Sequence, residues 1–186
     1  MQIGDTFTKI RDRLLAGVMF HADMANYFGF LNLKGFEKMH EYHFLAEAAE
    51  LRKVECYFIE HFNGLIPPSQ PDKVAVIPDF MYSHTRSEMS ADAKRRSVRD
   101  GMVKWIDWET GSKALYKQCY TELCNMGEIS AATMARDMVC DVDEEIKHAN
   151  NLVLTLEGVS YYMGDISFMQ DKLYEKFEGK MKKIWD

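Results

Sequence analysis

Four apolar stretches of helical spacing are each broken near the middle by a side chain that ligates metals: His21, Glu47 with Glu50 one turn on, Glu109, and Glu145 with His148. Charged side chains are almost never fully buried unless paired, because desolvating an ion costs several kcal/mol. Four interruptions, one per stretch, therefore need a shared compensation, and a pair of divalent cations bridged by carboxylates provides one. Glu145 and His148 are spaced i, i+3, which presents a carboxylate and an imidazole to the same point. Carboxylates neutralise and bridge two divalent ions, and neutral imidazole suits iron better than magnesium or calcium. The six residues supply four carboxylates and two histidines, about the set a di-iron carboxylate centre requires. Nothing in it separates two iron ions from manganese.

Such residues can meet only if long helices hold them at one height. All four prolines lie between Pro67 and Pro78, so the rest of the chain is free to be helical. The spacing predicts a first helix over about Asp5 to Leu33, with Asp5 as N-cap and the stripe Phe7, Ile10, Leu14, Gly17, His21, Met24, Phe28, Leu31. Gly35 is expected to supply the left-handed residue of the turn that follows. A second helix runs from about Phe36 to Phe62, with a stripe through Phe36, His40, Phe44 or His43, Glu47, Val54 and Phe58. Leu65 to Met89 reads as a crossover with little helix of its own and a short β-like run, Val74 to Ile77. A third helix spans about Ala91 to Asn125, capped by Ser90, with Val98, Met102, Trp105, Glu109, Ser112, Tyr116, Cys119 and Leu123 in line; Gly101 and Gly111 mark places where it could bend. The fourth starts after Ser130 and reaches about Leu156, with Met134, Met138, Asp141, Glu145, His148 and Leu152 in line. A terminal amphipathic helix carries Ile166, Met169, Leu173, Phe177, Met181 and Ile184 on one face.

Short turns make the first two helices antiparallel, and likewise the third and fourth, while the crossover lets the second and third point the same way. Glu109 lies 18 residues before Gly127 and Glu145 lies 18 after it; His21 lies 14 before Gly35 and Glu47 lies 12 after it. At about 1.5 Å rise per residue these sites fall in one layer, within a turn or two. The expected fold is an all-α four-helix bundle with a long crossover and a C-terminal fifth helix, one domain over residues 1–186.

At 186 residues the chain has room for one sizeable core. A net charge of −6 argues against a nucleic-acid backbone binder. No apolar run approaches the roughly 20 residues of a membrane span, and the N-terminus has no apolar signal core. Four cysteines form no CxxC, so a reduced, cytoplasmic protein is expected.

Trp108-Glu109 followed by the helix with Glu145-Ile146-Lys147-His148 resembles the third-helix Glu and fourth-helix ExxH of bacterioferritins and rubrerythrins. The turn Leu31 to Gly35 and the exit Gly64-Leu65-Ile66-Pro67-Pro68 are similar to those of the starvation-induced mini-ferritins. The resemblance is to the ferritin-like superfamily and runs from the first helix to the fifth. It implies two iron ions in the bundle core, Fe(II) oxidation by O₂ as ferroxidase, storage protein or related oxidoreductase, and a homo-oligomer, with the fifth helix offering an apolar face for subunit contact. Two departures stand out. The second helix carries ExxE (Glu47 to Glu50) where relatives carry ExxH, and the first-helix position is His21 where they carry Glu. Phe30 replaces the histidine expected at the mini-ferritin intersubunit site.

Each ligand also has a plainer reading. His21 can be a hydrogen-bonded core histidine, Glu50 is turned aside in a frame through Phe44, Leu51 and Phe58, and Glu144 or Asp141 could take the place of Glu145. His40, His43 and His61 read as surface or interface residues, with a chelating role for His40 together with His43 as the lesser alternative, and Trp105 and Tyr116 read as core packing. The alternatives to a metalloprotein of ferritin type are a structural or interaction module whose polar layer is closed by its own hydrogen bonds, and a di-metal enzyme with an access pocket for an organic substrate.

Overall fold

The computed structural model describes residues 2–71 and 75–183. The helices are α1 (Ile3–Phe30), α2 (Lys34–Phe62), the short α3 (Asp79–Ser83), α4 (Ala91–Asn125), α5 (Ile129–Gly158) and α6 (Met163–Met181), with one 3₁₀ turn at Arg86–Glu88. The four long helices form the expected bundle. α1 is antiparallel to α4, since Thr6 bonds Glu122 at one end and Gly101 meets Phe28 at the other. α2 returns beside α1, so α2 and α4 run the same way. α6 lies along α2.

All eight residues of the α1 stripe are buried, and so are all eight of the α4 stripe. Those faces are set by 3.6-residue periodicity alone. α4 runs unbroken through Gly101 and Gly111; at Gly101 a Cβ would stand 2.9 Å from the rings of Tyr27 and Phe28, so glycine there admits two aromatics. On α5 the buried line passes through Ala135, Met138, Val142, Ala149 and Leu152, which leaves Asp141 exposed. Asp141 and Glu144 therefore do not take the place of Glu145.

Local expectations need correcting at three places. Asp5 is not the cap of α1: Gln2 is, and Asp5 Oδ2 accepts from its backbone N–H at 3.2 Å. The left-handed residue of the first turn is Asn32 (φ 63°), because a short amide side chain tolerates that region too. Gly35 lies inside α2 instead, where a Cβ would fall 2.0 Å from the backbone oxygen of Gln170 in α6. Residues 75–77 of the β-like run form no strand; Val74, like Ile184 of the terminal stripe, lies outside the described residues.

The apolar face of α6 is used within the chain. Ile166, Leu173 and Phe177 are buried in a cluster with Phe36 and Met39 of α2, so that face is not free for a subunit contact. The apolar interior is divided in two. One cluster gathers Phe20, Met24, Phe28, Phe36, Trp105 and Leu156, the other Phe7, Ile10, Leu14, Val54, Phe58 and Leu123. A polar layer separates them.

Candidate metal centre

His21 of α1, Glu109 of α4 and Glu145 of α5 each offer a ligand atom, and these atoms lie within 4.8 Å of one another. Glu109 and His21 are both fully buried. Glu109 Oε1 accepts the indole N–H of Trp105 at 3.0 Å and stands 3.3 Å from His21 Nε2. Glu145 Oε1 in turn lies 3.2 Å from His43 Nδ1.

α2 brings more than the sequence reading gave it. His40 and His43 are buried, not on the surface, and form a cluster with His21 whose ring centroids are 5.2 to 6.2 Å apart. His40 Nδ1 is 3.1 Å from His21 Nδ1. That bond occupies one nitrogen of His21 and leaves Nε2 facing the carboxylates, as an outer residue does when it orients a metal-ligating histidine. The signal was present: Phe36, His40, His43 and Glu47 follow one another at helical steps. His61 is exposed, stacked on Tyr57, as expected of a surface residue.

Glu47 reaches the layer because α1 has no side chain in its way. A Cβ on Gly17 would lie 2.8 Å from Glu47 Cδ and 2.9 Å from its Oε1. Glu50 and His148 stand at the margin. Glu50 pairs with Lys53 at 2.8 Å, and His148 Nε2 is 3.2 Å from the ammonium of Lys176. Beside the layer the guanidinium of Arg13 lies 3.4 Å over the Trp108 ring and donates to the Trp108 carbonyl and the Ser112 hydroxyl. Arg13 is a feature the sequence reading missed, since one arginine in an amphipathic helix carries no local mark.

Burial sets the protonation of these groups. It holds the His21 imidazole neutral, its pKa brought down to about 3, and pushes His40 well below its ordinary range. Burial raises Glu109 and Glu47 well above theirs, with the Glu145 carboxylate adding to both. Burial opposes ionisation of Glu145 as well, but His43 and His21 bring its carboxyl down to about 2. Glu109 thus holds the proton of the pair and Glu145 the charge.

These directions fix a pH dependence. The raised carboxyls stabilise fully below about pH 4.5 and lose that contribution as pH rises through their folded pKa values. The lowered imidazoles are without penalty above about pH 6.5 and destabilise as pH falls toward 3, and Glu145 adds its own loss from 4.5 down to about 2. Melts in the presence of a chelator should therefore peak between about pH 4.5 and 6.5. Metal takes the place of protons on the carboxyls, so loading should move that maximum upward.

Five buried atoms of the layer have no hydrogen-bond partner among the described residues: His21 Nε2, His40 Nε2, His43 Nε2, Glu47 Oε2 and Glu109 Oε2. Unpartnered polar atoms of this kind are rare in a native core, and these are nitrogen and carboxylate oxygen, the donors that divalent transition metals prefer. The donor set fits a metal. Gly17→Ala tests the cradle without touching a ligand. It should displace Glu47 and weaken metal binding about 10-fold or more, with a melting temperature within a few degrees of wild type.

In sequence the chain matches no protein family and no curated protein. In structure it is similar to an open-pore ferritin from the hyperthermophilic archaeon Archaeoglobus fulgidus, with a TM-score of 0.74 over 92% of this chain and 94% of that one, at 14% identity. The chain has the ferritin-like fold. A closed form of that ferritin made by site-directed mutagenesis and a humanized archaeal ferritin match it with the same values. At this identity the likeness carries the fold alone. The ferritin-like bundle explains why four helices deliver side chains to one internal level. The buried His21, Glu109 and Glu145 are what this chain places there. A cavity of about 710 Å³ opens beside the layer between α2, α5 and α6, and both Glu47 and Glu145 reach its wall. No helix among the described residues is long and apolar enough to cross a membrane.

Proposed function

We propose that this chain is a ferritin-type metalloprotein that binds two ferrous ions in the bundle core and oxidises them with O₂. The observation that supports it is the buried triad of His21, Glu109 and Glu145, with unpartnered ligand atoms turned inward inside a ferritin-like bundle. His21 and His43 would hold the metal through nitrogen, and Glu109, Glu145 and Glu47 would hold it through carboxylate oxygen. Manganese would suit the same donors. Bound ferrous iron would supply the electrons that O₂ takes up.

The chain's own residues do the rest. Trp105 fixes Glu109 through Oε1, and His40 fixes His21 through Nδ1, so that each presents its other atom to the centre. Glu47 and Glu109 hold protons that must leave as metal enters. Trp108, Phe20 and Trp105 keep the α1–α4 side dry. Four free cysteines fit a reducing, cytoplasmic setting, and a homo-oligomer would have to use surfaces other than the buried face of α6.

The test is metal content per chain after expression with iron and dialysis, together with O₂-dependent Fe(II) oxidation. Wild type should retain about two metal atoms per chain, as di-iron bundles do. Glu145→Ala should lose both metal and oxidation. Unchanged oxidation in Glu145→Ala sinks the assignment. Wild type without tightly bound metal, folded and unaffected by chelation, favours a structural module closed by the His21–His40, His43–Glu145 and His21–Glu109 contacts.

A further inference from the structure

The cavity between α2, α5 and α6 is far larger than an ion or a water needs, and about 710 Å³ lies within the usual range of small-molecule sites. A path for ferrous ions would be expected to present uncompensated acid. Of the five carboxyls that line this cavity, two are paired, Glu50 with Lys53 at 2.8 Å and Glu144 with Lys147 at 2.5 Å; Glu47 and Glu145 belong to the polar layer, which leaves Asp141 as the acid without an ion pair among the described residues.

Opposite them α6 turns Lys176 and Lys180 to the cavity, one helical turn apart, and Lys183 joins them from the turn just past its end. Among the described residues none of the three forms an ion pair, although lysines on the neighbouring helices do. Two of them are held over aromatic rings. The Lys180 ammonium sits 5.1 Å from the Tyr42 ring centroid and 5.3 Å from that of Phe177, and the Lys176 ammonium 5.1 Å from Phe177. Two like charges stand over one ring, Lys176 also meeting the His148 imidazole at 3.2 Å, and neither is paired with a carboxylate among the described residues, so the pair is short of an anion. Further along the wall the lining is apolar, with Leu14, Met138 and Val142.

We propose that this cavity binds a small amphipathic organic acid, its carboxylate between Lys176 and Lys180 and its carbon chain along Phe177, Met138 and Val142, beside Glu145. The lysines offer point charges without the rigid fork of arginine, enough to hold one anionic group without fixing its plane. The apolar wall selects for a chain or ring behind the charge. The site stands on α6 and does not require that the layer hold metal.

Octanoate is the probe, titrated calorimetrically into the whole chain with chelator present, so that failure here is separate from failure of the metal reading. Binding in the micromolar range is expected, and octanol, of the same length without charge, should bind about tenfold more weakly or worse. Lys176→Gln/Lys180→Gln should weaken octanoate about tenfold or more, because a hydrogen bond to a charged group is lost at each position. Val142→Trp should abolish binding by filling the wall, with melting curves and circular dichroism establishing that each variant is folded. Absence of octanoate binding, equal binding of octanol, or a folded double-lysine variant that binds like wild type overturns the proposal.

Discussion

Glu109→Gln is expected to remove tightly bound metal and at the same time to raise the melting temperature of the metal-free protein. Glu109 is buried, with Oε1 on the Trp105 indole and Oε2 without a hydrogen-bond partner among the described residues. Its proton affinity is raised well above that of an exposed carboxyl, chiefly by burial, with Glu145 and Glu47 adding to it. At neutral pH the unfolded chain carries this group ionised, so folding must take up a proton or desolvate a charge, and either costs stability. Glutamine has the same shape and carries no charge. Its amide oxygen can accept from Trp105 and its nitrogen can donate to Glu145. The gain should be about 1–2 kcal/mol, or roughly 3–6 °C for a chain of this size, measured by thermal melts in chelator. Metal content should fall to background, since an amide neither bridges nor neutralises two cations. Protein functional sites often carry such a stability cost. A fall in melting temperature would mean instead that Glu109 is ionised in the fold and paired with a charged His21.

Gly35→Ala should be the most damaging change outside the polar layer. The contact is backbone against backbone: the added methyl would lie 2.0 Å from the Gln170 carbonyl oxygen and 2.7 Å from its carbon and Cα. No side chain can rotate away, so α6 must shift off α2. Overpacking of this kind typically costs about 1–3 kcal/mol, and a main-chain collision belongs at the upper end. A drop of roughly 6–12 °C is expected in thermal melts. Hydrogen exchange should rise first in α6, because Ile166, Leu173 and Phe177 lose their seat against Phe36 and Met39. Exchange rising uniformly over all helices would place the strain elsewhere.

How much was legible follows from what each stripe is made of. α1 and α4 present large apolar residues at regular steps, and their buried faces could be read off one by one. α5 could not be read as cleanly, because its core line runs through Ala131, Ala132, Ala135 and Ala149. Small side chains carry little hydrophobic signal, so Asp141 seemed to lie in line when it does not. His21, Glu109 and Glu145 were legible as polar residues set in apolar faces. His40 and His43 were legible only as positions on the α2 stripe, and their burial was not, since it depends on partners supplied by other helices, here His21, Trp105 and Glu145. Gly17 and Gly35 serve approaches between helices, which spacing along one helix cannot reveal. Asn32 rather than Gly35 makes the turn because either residue type tolerates the conformation.

The division into two helix hairpins, α1 with α2 and α4 with α5, bears on how the chain reaches and leaves its fold. Each hairpin gathers contacts between segments close in sequence, which form quickly. The triad of His21, Glu109 and Glu145 exists only once the hairpins have docked. If docking is the late step, a bound ion acts after the main folding barrier. Metal should then leave the refolding rate nearly unchanged and slow unfolding, so that the loaded protein owes its persistence to the lifetime of the docked state.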